Sequence, residues 1–430
     1  MSGQVDIISE QGSTYLGIES AFGAGAGVSL ERAVPLGGSV KPGFKRDQLA
    51  VRDERTRGFA HIKNIQGLKS TDATLELEFA AKAALTQLLG PSAVADTTGQ
   101  YLMSLILGLW GNSIGENFWI AQGSTVVSAT SSSVTVTAGH GATRFKKGQW
   151  IAVQIGAAQT QPVRITNIVT DTLSVWPNFT STPTAGYLVG NGVTIAPSQT
   201  HSYSLEIAHA KSVGISGLSD AQWQARGVTG DLKVDWKRGE LMKFSASLKA
   251  ATYERGALGF STAYAGETMS AAQVPLVSVI TLLQPFTTTT SVNYPLVEAG
   301  VEFAGGMMQV KNHGANTPGT NGVETVTGVL RVPVRPFATA TVKHRFDPAA
   351  WTEFDAQTSV CLVQLAQIGT GLTARYVGWE LPNAYQSAEP QMIGEDGVER
   401  MVRTYESLED ANVTSASTDL GFGPARLIFL

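Results

Sequence analysis

The sequence predicts a mainly β protein: duplicated β-sandwich or β-barrel modules, each with a short flanking α-helix, plus a small inserted all-β domain. Three observations predict it. Apolar and polar residues alternate over most of the chain, Gly- and Asn-rich turns separate the alternating runs, and an order of elements in the first half returns in the second.

The alternation is explicit in Leu75, Leu77 and Phe79 of ATLELEFA, in Val134 and Val136 of SSVTVTA, in Tyr203, Leu205 and Ile207 of HSYSLEIAH, and in Met242, Phe244, Ala246 and Leu248 of LMKFSASLK. A strand directs every second side chain to one face, so this spacing marks half-buried antiparallel strands. GANTPGTNG and VGNGV supply turns between them. Three short helices are predicted. FAAKAALTQLLGPS carries an apolar stripe that Gly90 and Pro91 can end; SDAQWQARG places Ser219 and Gln222 at capping-box spacing; FDPAAWTEFDA offers Asp347 as N-cap and Pro348 at the first helical position.

Two polar ribbons stand out. DLKVDWKRGELMKFSASLKAATYE (231–254) reads as a hairpin, and the stretch from Trp379 to Asp410 has much the same outline. Each ribbon follows the same succession: a strand, a helix, a second strand and a turn. Ala225, Arg226, Val228, Asp231 and Leu232 align with Ala374, Arg375, Val377, Glu380 and Leu381. The expected organisation is a first module over 1–122 and 198–265, an inserted β-domain over 123–197, and a second module over 266–430. The inserted segment shows SSVTVTAG, KKGQWIAVQIG, QPVRITNIV and DTLSVWPNF at the regular spacing of a small barrel or sandwich.

Composition excludes some functions and favours others. Lys and Arg total 31 against 35 Asp and Glu, a formal charge of −4, so the strongly basic surface of a general nucleic-acid binder is missing. Charged residues make up 15% of the chain, below the roughly 25% usual in soluble domains, which suits a surface that mostly faces other protein copies. Cys361 is the single cysteine, so intrachain disulfides and multi-Cys zinc sites are excluded, and its apolar setting predicts a buried, inert thiol. The N-terminus lacks a basic segment followed by an apolar one, and the apolar run YLMSLILGLWG is too short to span a bilayer. A soluble product made in the cytoplasm, with no membrane partner, is expected.

No constellation of catalytic residues emerges. His61, His140, His201, His209, His313 and His344 include no pair at metal-ligand helical spacing. FGAGAGVS lacks the spacing of a phosphate cradle, and no nucleophile elbow occurs. Glu380, Glu389, Glu395 and Asp396 ride on a ribbon and its turn, where solvation explains them more simply than a glycosidase pair. No enzyme activity and no cofactor are expected. The mixed-charge stretch 42–67 holds Lys45, Arg46, Asp47, Arg52, Asp53, Glu54, Arg55 and Arg57 without clean periodicity. It is expected to be a long docking loop whose charges pair with a neighbouring subunit.

The opening GIESAFGAGAGVSLERAVPLGGSVKPGFKRDQLAVRDERTRG, the block HSYSLEIAHAK with GVTGDLKVDWKRGELMKFSASLKA, and the inserted ATRFKKGQWIAVQIG with VRITNIVTDTLSVWP resemble tail tube proteins of long-tailed, non-contractile bacteriophages. The resemblance implies β-sandwich modules joined laterally into rings that stack into a hollow, DNA-conducting tail tube in the virion. Two modules per chain imply trimeric, pseudo-hexameric rings, the alternative being hexamers. The partners implied are the protein itself, the tape-measure, tail terminator and distal tail proteins, and double-stranded DNA in passage without specific binding. On this reading Lys243, Ser245, Ser247, Arg403, Thr404 and Glu406 belong to the barrel ribbons, and the 42–67 loop docks ring to ring. The competing expectation is a carbohydrate-binding or hydrolytic β-protein of a phage fibre or cell surface, with Trp150, Trp176 and Trp223 as its possible aromatic platform.

Overall fold

The computed structural model describes residues 12–19, 23, 31–33, 41–43, 46–51, 63–69, 73–80, 123–190, 192–195, 205–211, 221–256, 277–285, 292–293, 296–304, 307–312, 325–331, 337–395, 397–408 and 424–430. It is mainly β, with a large sheet system and a closed six-stranded barrel.

The first ribbon is a hairpin of Ala221–Lys237 and Lys243–Ala250, in register from Thr229 opposite Lys249 to Asp235 opposite Lys243. Its turn is closed by the Glu240 amide donating to the Lys237 carbonyl, with Gly239 at φ +84°. The left-handed φ favours glycine, because an L side chain is strained at that dihedral even where the surrounding space is open. Phe244, Ala246, Leu248 and Ala250 are buried while Lys243, Ser247 and Lys249 are exposed, which is the alternation the sequence predicts. Each buried Phe or Leu side chain contributes roughly 1.5–3 kcal/mol, so a register slip by one residue is strongly disfavoured.

The second ribbon is also a hairpin, with an interruption in its first arm. Gln391–Glu395 pairs with Val398–Ser407 around a turn at Gly397, and Ala384, Tyr385 and Gln386 pair further along the same strand. The two ribbons belong to one continuous sheet. Its strands run Lys41–Gly43, Ala73–Ala80, Lys243–Ala250, Ala221–Lys237, Leu296–Phe303, Ala338–Arg345, Val398–Ser407 and Gln391–Glu395, each antiparallel to the next. The join between the halves is Ala221–Lys237 against Leu296–Phe303, from Leu232 opposite Phe303 to Lys237 opposite Glu298.

A second layer covers the inner face of this long sheet. In the first half, Gly12–Ile18 pairs with Glu31–Ala33 and with Leu205–Lys211; the latter pairs with Ala221–Lys237, which also pairs with Thr252–Gly256. In the second half, Val277–Pro285 pairs with Val292–Asn293 and with Val360–Ile368; the latter pairs with Arg375–Gln386, which also pairs with Arg426–Phe429. One apolar core runs between the layers and across both halves, from Leu16, Ile207 and Trp223 through Phe244 and Val301 to Trp379 and Phe429. Phe244 and Phe429 stack at 6.0 Å between ring centroids.

The barrel runs from Ser124 to Gly190 and lies within the segment predicted as an insertion. Val126, Val134, Phe145, Ile151, Val153, Val163, Ile165 and Leu173 fill it. Closure leaves no open strand edge, which lets a short β segment be stable without borrowing a neighbour's strand.

Several local expectations are corrected. SDAQWQARG is not a helix: residues 221–227 are extended, with Trp223 and Ala225 in the core and strands bonded on both sides. A capping box is worth about one hydrogen-bonded pair, whereas residues 222–225 have a paired strand on each side. Gly227, with φ +63°, sits within this strand rather than ending a helix. The stretch 42–67 is not wholly a loop, because Arg46–Val51 pairs with Lys63–Lys69. FDPAAWTEFDA is helical over Ala349–Asp355 with Pro348, rather than Asp347, at the N-cap position, and the Asp347 carboxylate accepts from the Ala349 amide at 3.0 Å just ahead of the helix. Phe79 and Ala80 close a strand, and the remainder of FAAKAALTQLLGPS lies outside the described residues.

Gly378 tests the packing of the second half. A Cβ there would stand 1.8 Å from the Gln364 carbonyl oxygen of the adjacent strand. Gly378→Ala should therefore destabilise the protein by about 1–3 kcal/mol, read as a lowered midpoint in chemical denaturation.

Candidate functional site: the open face of the long sheet

Opposite residues in an antiparallel pair share a face, so the registers place side chains in rows across the sheet. One row is Ser245, Lys233, Glu302, Thr339 and Glu406. The next is Lys243, Asp235, Gly300, Thr341 and Thr404. A third is Lys237, Glu298, Lys343, Val402 and Gln391. Glu78 and Glu76 stand in register with Ser245 and Ser247. This face carries small polar groups and charges of both signs, in contrast to the apolar face behind it.

Lysines on this face stand opposite carboxylates. Glu302 lies across from Lys233, Asp235 from Lys243, and Glu298 from both Lys237 and Lys343. Lys249 is the exception, lying between Thr229 and Thr74. Lys233 reaches Asp235 at 3.3 Å and Glu302 at 3.5 Å; Lys237 reaches Glu240 at 3.2 Å; Lys343 reaches Glu395 at 2.5 Å. Partial burial draws the Lys233 pKa down, but Asp235 and Glu302 outweigh this and hold it above the ordinary lysine value. Hydrogen bonding to Lys343 holds the Glu395 carboxyl below its usual range.

Of the predicted ribbon residues, Lys243, Ser245, Ser247, Thr404 and Glu406 fall on this face. Arg403 does not. It follows Val402 and precedes Thr404, so the pleat turns it to the other side, where it is 1% exposed. There its guanidinium is ion-paired with Glu353, donates through Nε to Gln386 at 2.9 Å, and lies 5.3 Å from the Tyr405 ring centre. Arg403 ties the helix Ala349–Asp355 to the sheet and takes no part in the open face.

A second charged cluster fastens the barrel to the sandwich. Trp150 and Trp176 of the barrel pack with Cys361, Val363, Leu365, Tyr376, Ile428 and Leu430 of the second half. In the middle of this contact Glu380 is fully buried. It is ion-paired with Arg164, accepts from Arg426 at 3.0 Å and accepts from the Trp150 indole at 2.9 Å. Burial alone would raise the Glu380 pKa, but Arg164, Arg426 and the indole bond reverse this and hold it at about 2. Cys361, beside it, is pushed up to about 12 by burial, so its thiol stays protonated and unreactive. The Tyr376 hydroxyl donates to the Thr160 carbonyl at 2.9 Å, adding a polar tie. Nothing in the local sequence around Glu380 marks this joint, since its partners lie on strands distant along the chain.

The remaining candidates are placed as follows. Arg46 and Asp47 lie in the strand Arg46–Val51, while Lys45, Arg52, Asp53, Glu54, Arg55 and Arg57 lie outside the described residues. Trp150, Trp176 and Trp223 are buried, so none of them forms an exposed aromatic platform. His344 is buried, which lowers its pKa, and its Nδ1 lies 2.6 Å from the Arg345 carbonyl oxygen. Among the described residues no three His, Cys, Asp or Glu side chains are grouped to hold a metal, and no helix is long and apolar enough to cross a membrane.

The Glu380 joint gives a testable pH dependence. Its folded pKa is depressed, so its contribution is complete above about pH 5 and is lost as pH falls toward about 2. Glu380→Gln should cost about 3–5 kcal/mol at neutral pH, because two guanidiniums then face a neutral amide. In acid titrations of denaturation midpoint, the variant should show a shallower decline across that window than the unaltered protein. Compared with known proteins, the chain matches no family model and no curated sequence.

Proposed function

We propose that the chain is a structural subunit that assembles with copies of itself into rings stacked as a hollow tube, the tail tube of a long-tailed, non-contractile bacteriophage, through which DNA passes. The observation that carries this reading is the long sheet. Four strands come from each half, the halves join edge to edge, and among the described residues the outer edges of Lys41–Gly43 and Gln391–Glu395 carry no further strand.

The pairing pattern supports two copies of one module. Gly12–Ile18, Leu205–Lys211, Ala221–Lys237 and Thr252–Gly256 are connected as Val277–Pro285, Val360–Ile368, Arg375–Gln386 and Arg426–Phe429 are. The hairpin Arg46–Val51 with Lys63–Lys69 has its counterpart in Met307–Asn312 with Thr325–Arg331. If the halves are equivalent, the internal join is a heterologous contact, and repeating it between chains closes a ring. Three such chains would give a pseudo-hexamer. Exposed Met392, Ile393 and Val398 at the free end of the sheet suit burial by a neighbour better than permanent contact with water. Stacking of rings, and contact with tape-measure, terminator and distal tail proteins, follow from the same reading.

The test is an edge-blocked variant. Met392→Lys with Ile393→Lys places charge on the free strand and should leave the fold intact by circular dichroism. Sedimentation should then show rings or longer assemblies for the unaltered protein and single chains for the variant. Unchanged assembly in the variant would remove this edge from the ring contact.

A further inference from the structure

The tube reading leaves one feature of the open face unexplained. A conduit for a polyanion would be expected to avoid lysine, yet Lys233, Lys237, Lys243, Lys249 and Lys343 all lie on this face. Each lysine that engages a phosphate releases condensed counterions, and the gain adds up over every contact. A ring repeats each lysine once per chain, and stacked rings repeat it again, so bare lysines would hold DNA along the whole tube.

We propose that Asp235, Glu302 and Glu395 are built-in counter-ions for Lys233 and Lys343, so that the open face can be traversed by double-stranded DNA without retaining it. This rests on the tube reading for the identity of the polyanion. The geometry is specific. Asp235 lies two residues beyond Lys233 on the same strand, and Glu302 lies directly opposite it across the join between the halves. With two carboxylates in reach at 3.3 Å and 3.5 Å, Lys233 keeps one partner when thermal motion frees it from the other. A phosphate approaching the ammonium must displace a carboxylate, and it is repelled by both. The lysines keep a structural use, since their aliphatic stems cover the sheet and opposite charges favour one register.

The arrangement also explains why the face is not simply acidic. Here Asp231, Asp235, Glu298, Glu302 and Glu406 share one surface, and without interspersed cations their mutual repulsion would grow when copies close into a ring. Pairing keeps the face wet and near neutral at short range.

The test uses the full chain and a short double-stranded DNA fragment at about 50 mM salt, with binding followed by fluorescence anisotropy. Asp235→Asn with Glu302→Gln should tighten DNA binding at least about fivefold, with the gain lost at high salt. Adding Lys233→Gln to that pair should abolish the gain. A control pair with the same change in net charge, Asp355→Asn with Glu389→Gln, both exposed and outside the strands that form this face, should produce no gain. The proposal is overturned if the first variant gains nothing, if the control gains as much, or if Lys233→Gln leaves the gain in place. Tubes are scored separately by electron microscopy on the same preparations. Unaltered protein that forms no tubes sinks the tube reading, whereas tubes without the binding gain sink the counter-ion role alone.

Discussion

The structure depends on the pairing of Ala221–Lys237 with Leu296–Phe303. This strand is the only described element that reaches both layers of the first half and also the second half. Its first part pairs with Leu205–Lys211 and Thr252–Gly256, and its last part with Lys243–Ala250 and Leu296–Phe303. Because the side-chain period is two, fixing this register fixes which residues face the core in every strand across the sheet. Leu232, Val234 and Trp236 go inward and are buried, so Asp231, Lys233 and Asp235 must go outward. The charged rows of the open face are thus a consequence of the same pairing that builds the core.

The barrel adds a second constraint. It is inserted between strands of the first half, but it packs on Val360–Ile368 and Arg375–Gln386 of the second. Val193–Ile195, which follows it, pairs with Arg426–Phe429 near the end of the chain. Apolar contact supplies most of the adhesion, and the Glu380 cluster supplies direction, because a buried carboxylate with two guanidiniums and an indole tolerates little change of angle. The insertion therefore crosses between the halves and reinforces the strand join.

Much of this was legible in the sequence because it is local. The alternation in Lys243–Ala250 named its buried face correctly, Asp347 announced the helix that follows it, and the two ribbons were visible as hairpins. Misreadings arose where a local signal competed with pairing at long range. Ser219 and Gln222 have capping-box spacing, but edges supplied by Leu205–Lys211 and Thr252–Gly256 hold Ala221–Lys237 extended. Arg403 and Thr404 both lie on the ribbon strand Val398–Ser407, but the pleat turns only Thr404 to the open face. The Glu380 joint was out of reach, because Arg164 lies 216 residues away in sequence and their meeting depends on how the barrel docks.

The central claim is that each half contributes an equivalent ribbon to one closed sheet whose polar face lines a channel. Electron cryomicroscopy of the assembled protein tests it most directly. The account predicts hollow rings of three chains with pseudo-sixfold symmetry, with Lys233, Glu302 and Thr404 on the inner wall. Compact single chains at high concentration, or rings with this face turned outward, would contradict it.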